Sequence, residues 1–400
     1  MGVRGGALAS DAMVLSRPVR RALLGAATLL LVLLTTAPAQ AKLDVGVQDD
    51  DVLTYQNWYG RPAGIDLMNQ VGLGSVRINV PWTKVLVSGQ SNPNASQTAR
   101  SAYNFATFDA AIENLKASGR NVQLSITGPF PAWATGDRKV GYTNPNATAF
   151  GLFARAVAQR YQGKVVAVSI LNEPNWPTLL RTGRKCKGAA ACAKDIGLLY
   201  RALYQNAYKA IKAASPGTKV WIGETTSAAR KTTKGYATAP LEFLRAVLCV
   251  DPAYSRISCP GLKADGVAHH PYLLGVSPQT RPTSKDAVTM ANLGAMDAAL
   301  TKFERLRALR APSGKLPIYL TEYGFTTSGG SKQVSPSRQA SWTIQGLKLA
   351  AKAKRVKQVI LYQLVDPPDG GPRTWASGML TGTFQPQPLR LQLPGALKGL

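Results

Sequence analysis

Residues 165–176 read Val165-Val166-Ala167-Val168-Ser169-Ile170-Leu171-Asn172-Glu173-Pro174-Asn175-Trp176. The first seven are nearly all apolar and rich in β-branched side chains, and the run ends abruptly in polar residues and a proline. So short a continuous apolar run suits a strand buried on both faces, as in a parallel sheet covered by helices. Runs of the same kind recur at 43–48, 74–80, 121–127, 219–223, 266–270, 317–322 and 358–364, which with 165–171 makes eight. Helical spacing fills 105–117, 147–161, 195–214, 241–248, 286–309 and 336–353 between them. Eight strands alternating with helices predict a single (β/α)8 TIM barrel over residues 42–400. An open doubly wound sheet would carry a glycine-rich phosphate turn after its first strand. The sequence has neither that turn nor a Walker A lysine.

The start of the chain is set apart from this pattern. Arg17, Arg20 and Arg21 precede an apolar run from Ala22 to Leu34, and Ala37-Pro38-Ala39-Gln40-Ala41 follows. This is the form of a secretory signal with an A-x-A cleavage site over residues 1–41. The run is too short for a spanning helix, which needs roughly 20 residues. The expectation is a secreted, extracellular monomer without stable membrane insertion, with association to a cell wall left open. The chain carries a net charge of +27; without its first 41 residues, 44 basic residues face 20 acidic ones, or +24. One reading of that charge is a solvated surface, with Lys352, Lys354, Arg355 and Lys357 its densest helical group. The other is attraction to an acidic extracellular polymer. No nucleic-acid partner is expected, because no recognition module is present.

Cys186, Cys192, Cys249 and Cys259 are an even set in an exported chain, which predicts two disulfides. Three connectivities exist. Cys186 with Cys192 and Cys249 with Cys259 are favoured because each pair brackets a short loop. The spacings lack the C-x2-C form of a zinc site. Two sequons, Asn94-Ala95-Ser96 and Asn146-Ala147-Thr148, matter only in a host that glycosylates.

Barrel enzymes place their chemistry at the carboxyl ends of the strands. The polar residues there are Gln48 and Asp49 to Asp51, Arg77 and Asn79, Asn172 and Glu173, Glu224, His269 and His270, Glu322, Gln363 and Asp366. Glutamates on strands four and seven would face one another across the barrel mouth. Such a pair suits glycosidic cleavage, in which one carboxyl protonates the leaving oxygen and the other attacks the anomeric carbon. Glu224 also ends a strand, but no motif supports it, and a structural ion pair or a peripheral substrate contact is favoured. Arg77 could serve merely as a structural partner of Asp49 or Glu224. Adjacent on a strand and lacking a third histidine, His269 and His270 make a poor metal site. His269 is expected to pack against a helix. Trp58, Trp133, Trp176 and Trp375 follow strand ends where rings can stack on sugars, whereas Trp82, Trp221 and Trp342 look like packing residues.

Asn172-Glu173-Pro174 together with Thr321-Glu322-Tyr323-Gly324 resembles the clan A retaining glycoside hydrolases. Asn172-Glu173-Pro174-Asn175 and Pro131-Ala132-Trp133-Ala134 resemble family 39 more than family 5. The likeness spans essentially all of 42–400, including a close from Gly378-Met379-Leu380 to a short final helix. It implies that Glu173 is the acid/base and Glu322 the nucleophile. It further implies that Arg77 supports the nucleophile, that Asn172 bonds the sugar 2-hydroxyl, that His270 and Tyr272 form a His-x-Tyr beside the nucleophile, and that Trp133 and Trp176 contact substrate. Period-two alternation would turn Asn172 away from Glu173, so a bend at Pro174 is expected. Strand eight, Leu361-Tyr362-Gln363-Leu364, departs from the resemblance by lacking the clan's tryptophan, for which Tyr362 or Trp375 can substitute. The function implied is hydrolysis of a polysaccharide or oligosaccharide, neutral or acidic, with no cofactor and no metal. A glycan-binding barrel without catalysis and a transglycosylase with the same carboxylates are the alternatives.

Overall fold

The computed structural model describes residues 1–3, 42–87, 102–186, 188–257, 259–329, 332–368 and 375–400. Residues 4–41 of the proposed signal segment and the sequon at Asn94 lie outside them. Residues Lys42–Leu400 form one compact unit. Its barrel strands are β1 (Asp44–Gln48), β2 (Ser75–Pro81), β3 (Asn121–Thr127), β4 (Ala167–Ile170), β5 (Lys219–Thr225), β6 (Gly266–His269), β7 (Ile318–Tyr323) and β8 (Val356–Tyr362). Every neighbouring pair is parallel, and β1 pairs with both β2 and β8, which closes the barrel. The predicted fold is the observed one.

Among the described residues eight helices longer than two turns cover the outside: α1 (Arg61–Val71), α2 (Ala106–Ala117), α3 (Ala147–Arg160), α4 (Ala189–Ala214), α5 (Pro240–Leu248), α6 (Leu293–Arg305), α7 (Pro336–Lys352) and α8 (Pro388–Leu397). Helix α1 is missing from the sequence expectation because Pro62 and Gly64 dilute its pattern. Leu67, Met68 and Val71 nonetheless bury one face of it. The expected helix over 286–309 is shorter, since Thr289 and Asn292 form a capping box that delays its start to Leu293. Asn146, within the second sequon, caps α3 by accepting from the Ala149 N–H at 2.9 Å. The expected disulfides form, with Cα separations of 5.1 Å for Cys186–Cys192 and 6.2 Å for Cys249–Cys259. Among the described residues no helix is long and apolar enough to cross a membrane.

The lower barrel interior is filled by rings. Trp221 on β5 stacks on Tyr319 of β7 at 3.8 Å. These strands are not neighbours, so the contact crosses the interior past β6. Gly266 makes room for it, because a Cβ there would lie 2.4 Å from the Tyr319 ring. Ala167 and Ala268 complete this small apolar cluster. Outside the strands, alternate residues join the main core with the helices.

Candidate active site

With Trp221 and Tyr319 pointing inward, strict alternation would aim Glu224 and Glu322 outward, toward the helices. Local irregularities reverse this. The β5–β6 register shifts between Gly223 and Thr225, and Gly223 and Glu224 take φ values of 112° and 51°. On β7 the register with β8 shifts between Leu320 and Tyr323. Glu322 turns into the barrel, while Tyr323 lies against α7 so closely that a Cβ on Gly346 would be 2.6 Å from its hydroxyl. At the end of β4, Leu171 (φ 65°) and Glu173 (φ 43°) both adopt left-handed backbone. The bend that brings Asn172 and Glu173 together therefore falls at Leu171 and Glu173 rather than at Pro174. Such non-glycine conformations cost on the order of 1–3 kcal/mol each and cluster where function requires them.

Arg77, fully buried on β2, connects the site. Its Nε and Nη2 donate to the two Glu224 oxygens at 2.9 and 3.0 Å. Nη2 also donates to Asn172 Oδ1 at 2.7 Å, and Nη1 donates to Gln48 Oε1 and, at 3.3 Å, to Glu322 Oε2. Glu224 has no exposed surface and is an ion-pair partner, as expected. Burial opposes its charge, but the Arg77 guanidinium overcomes that and holds its carboxyl below the ordinary range. Ser125 and Ser169 also donate to Glu224. Arg77 thus pairs with Glu224 and reaches Glu322 as well.

The two candidate catalytic carboxylates meet across His270. The His270 Nδ1 is 3.1 Å from Glu173 Oε1 and 3.8 Å from Glu322 Oε2. These oxygens are consequently no more than about 7 Å apart, the two distances laid end to end. The His270–Glu173 contact is a hydrogen bond whose donor depends on the histidine tautomer. Tyr272 donates its hydroxyl to Glu322 Oε1 at 3.0 Å. Both glutamate side chains keep a fraction of their surface exposed, 20% for Glu173 and 17% for Glu322. They open into a cleft of about 440 Å³ whose walls include Asn79, Trp176, Tyr362 and Trp375. Asp50 accepts from Gln48 and Asn79, two residues of that wall; its carboxyl is pushed up to about 6, chiefly by desolvation.

A family model described as cellulase (glycosyl hydrolase family 5) matches residues 45–360. The chain belongs to glycosyl hydrolase family 5. This is a clan A family, in line with the motif resemblance, although the motifs alone leaned toward family 39. Among solved structures, a family 39 glycoside hydrolase from the gut symbiont Bacteroides cellulosilyticus WH2 shares the fold at TM-score 0.58 and 15% identity, over 90% of this chain and 64% of its own. This chain thus covers less than two thirds of that enzyme's length. GH5_18 from Streptomyces cattleya aligns at TM-score 0.57 and 14% identity over 90% and 80% of the two chains. A glucosidase from Croceicoccus marinus aligns at TM-score 0.59 and 11% identity over 90% and 68%. No curated protein sequence matches.

Within this family 5 barrel, Arg77, Asn172, Glu173, His270, Tyr272 and Glu322 are brought together, and Trp176 lines their cleft. Trp133 instead stands edge-on to the buried Trp82 at 5.2 Å and is not among the cleft-lining residues. Trp375, from the loop after β8, comes within 5.7 Å of Tyr272 and 6.3 Å of Tyr362. His269 is fully buried. Its Nε2 donates to the Val288 carbonyl, in the loop before α6, and its Nδ1 accepts from Thr225. Sequence reasoning missed Ser125 and Ser169, whose only signal was a small polar residue at an inward strand position. It also missed the role of Asn175, a buried clamp joining the Glu173 loop to Thr226 and Thr238 beyond β5.

Proposed function

We propose that this family 5 chain is an exported, monomeric, retaining glycoside hydrolase that cleaves O-glycosidic bonds of an extracellular or cell-wall polysaccharide by double displacement. Glu322 attacks the anomeric carbon. Glu173 protonates the leaving oxygen and then activates water. The observation that carries this reading is the pair of glutamates sharing His270, at most about 7 Å apart. A separation within that bound is compatible with the roughly 5–5.5 Å between the two carboxyl groups of retaining enzymes. The roles follow from their surroundings. Glu322 has the Arg77 guanidinium and the Tyr272 hydroxyl fixing its two oxygens, which suits an anionic nucleophile. Asn172 is held by Arg77 beside the cleft, where its amide can meet a sugar hydroxyl. The two disulfides accord with export.

Azide separates the two roles. Glu173→Ala should still form the glycosyl-enzyme from an aryl glycoside with an acidic phenol, yet fail on substrates whose alcohol must be protonated. Azide should rescue it with net retention. In Glu322→Ala, azide should attack from the vacated side and give the opposite anomer. An inverted first product from the unmodified enzyme, followed by proton NMR, would overturn the assignment.

A further inference from the structure

Beyond Trp176 the cleft continues into a groove along a short hairpin, Arg230–Thr232 paired with Gly235–Ala237. Trp176 and Arg230 line both the glutamate cleft and this groove, which is completed by Thr178, Lys231, Thr232 and Thr233. The hairpin's position is fixed relative to the catalytic loop. Asn175, two residues after Glu173, exchanges backbone and side-chain hydrogen bonds with Thr238 at its base and with Thr226 before it. Gly235 at the turn lies against Pro177. Residues 226–239 contain Arg230, Lys231 and Lys234 and no acidic residue. Among the described residues none of these three cations forms a salt bridge. On the far side of the turn, Lys234 shares a second groove with Arg181, Arg184 and Lys185 against one carboxylate, Asp137.

A solvated surface would scatter such charges among acidic partners. Here they converge on a groove continuous with the cleft and next to an indole. We infer that the hairpin is an anionic-sugar subsite: Trp176 stacks on a sugar ring while Arg230 and Lys231 take the carboxylate of a uronic-acid unit, with Lys234 extending the charge to the next unit. An arginine fork matches a carboxylate, and the indole face matches the C–H face of a pyranose. The inference rests on the reading of the cleft as a glycan site and names the class of glycan it takes.

The test is binding by titration calorimetry with uronic-acid hexasaccharides, of glucuronate and of galacturonate, against their carboxyl-reduced counterparts of the same linkage and length. At low salt at least one acidic hexamer should bind about 10-fold or more tighter than its reduced form, the joint effect of a few exposed ion pairs. The preference should shrink toward 1 M salt, where charges are screened within about 3 Å. The triple variant Arg230→Ala/Lys231→Ala/Lys234→Ala should lose it. Lys352→Ala/Lys354→Ala/Lys357→Ala, which removes equal charge at the opposite end of the barrel, should change it less than about 2-fold. Unchanged thermal midpoints report that both variants fold. Equal affinity for acidic and reduced hexamers, a preference that survives the hairpin variant, or equally strong competition by polyglutamate would each overturn the inference. Hydrolysis of aryl glycosides is followed separately: its absence would sink the glycosidase reading, while the binding comparison still decides the subsite.

Discussion

The two floors of the barrel interior are built from the same strands and obey opposite rules. On the lower floor Trp221, Tyr319, Ala167 and Ala268 follow regular alternation and fill space with rings and methyls. On the upper floor His270 keeps the alternation of Ala268, but the other three strands continue into Glu224, Glu322 and Asn172, where alternation breaks, with left-handed backbone at Glu224 and on either side of Asn172. The lower floor contributes stability by dispersion and burial. The upper floor spends stability to hold carboxylates and a guanidinium out of water. The division teaches that function is placed where the regular strand ends, and that regular packing underneath carries its cost.

The comparison can be broken most sharply with a pair of variants. Glu322→Gln should lower kcat by about 10⁶-fold, the scale seen when a nucleophile is removed. It should leave the unfolding free energy nearly unchanged, because Arg77 and Glu224 still balance one another. Trp221→Ala should do the reverse, losing about 3–5 kcal/mol of stability to an interior cavity while the folded fraction keeps its turnover. Denaturant unfolding and kinetics on one aryl glycoside check both. Comparable losses in both properties for both variants would erase the distinction.

A smaller effect sharpens the boundary between the floors. Glu224→Gln keeps the shape but leaves buried Arg77 without its main counterion, and should cost about 3 kcal/mol. It should also lower kcat, because Arg77 holds Asn172 and Glu322 at the same time. A variant as stable and as active as the parent would show that Glu224 is dispensable.

The smallest effect lies behind the strands. Burial pushes His269 down to about 3, against the opposing hydrogen bond at Val288. Its folded value lies below the unfolded 6.5, so the stability it contributes is present above pH 6.5 and is lost as the pH falls toward 3. Asp49 runs the other way. Burial raises its carboxyl to about 7, so its contribution is lost as the pH rises from 3.8 through 7. His269→Gln isolates the first contribution: its difference from the parent should shrink by ~2 kcal/mol between pH 7 and pH 5. A difference that does not vary with pH would show His269 to be charged or exposed.

The sequence by itself determined the barrel, because eight apolar runs bounded by polar ends leave a parallel sheet few other ways to bury both faces. It located the carboxylates for the same reason: a polar residue that ends a buried strand must lie at the barrel mouth. The disulfide pairs were legible because short loops bring their cysteines together. Only the tertiary structure decided which way those carboxylates point. The register shifts at Gly223–Thr225 and Leu320–Tyr323 and the left-handed turns at Leu171 and Glu173 arise from contacts between strands far apart in sequence. No local periodicity encodes them. The same holds for Trp133, which follows a strand end yet packs on Trp82, and for Ser125 and Ser169 on β3 and β4, ordinary strand residues until Glu224 arrives from β5. Strand patterns record which residues leave water, whereas the partner each one meets inside depends on closure, which joins strands more than a hundred residues apart.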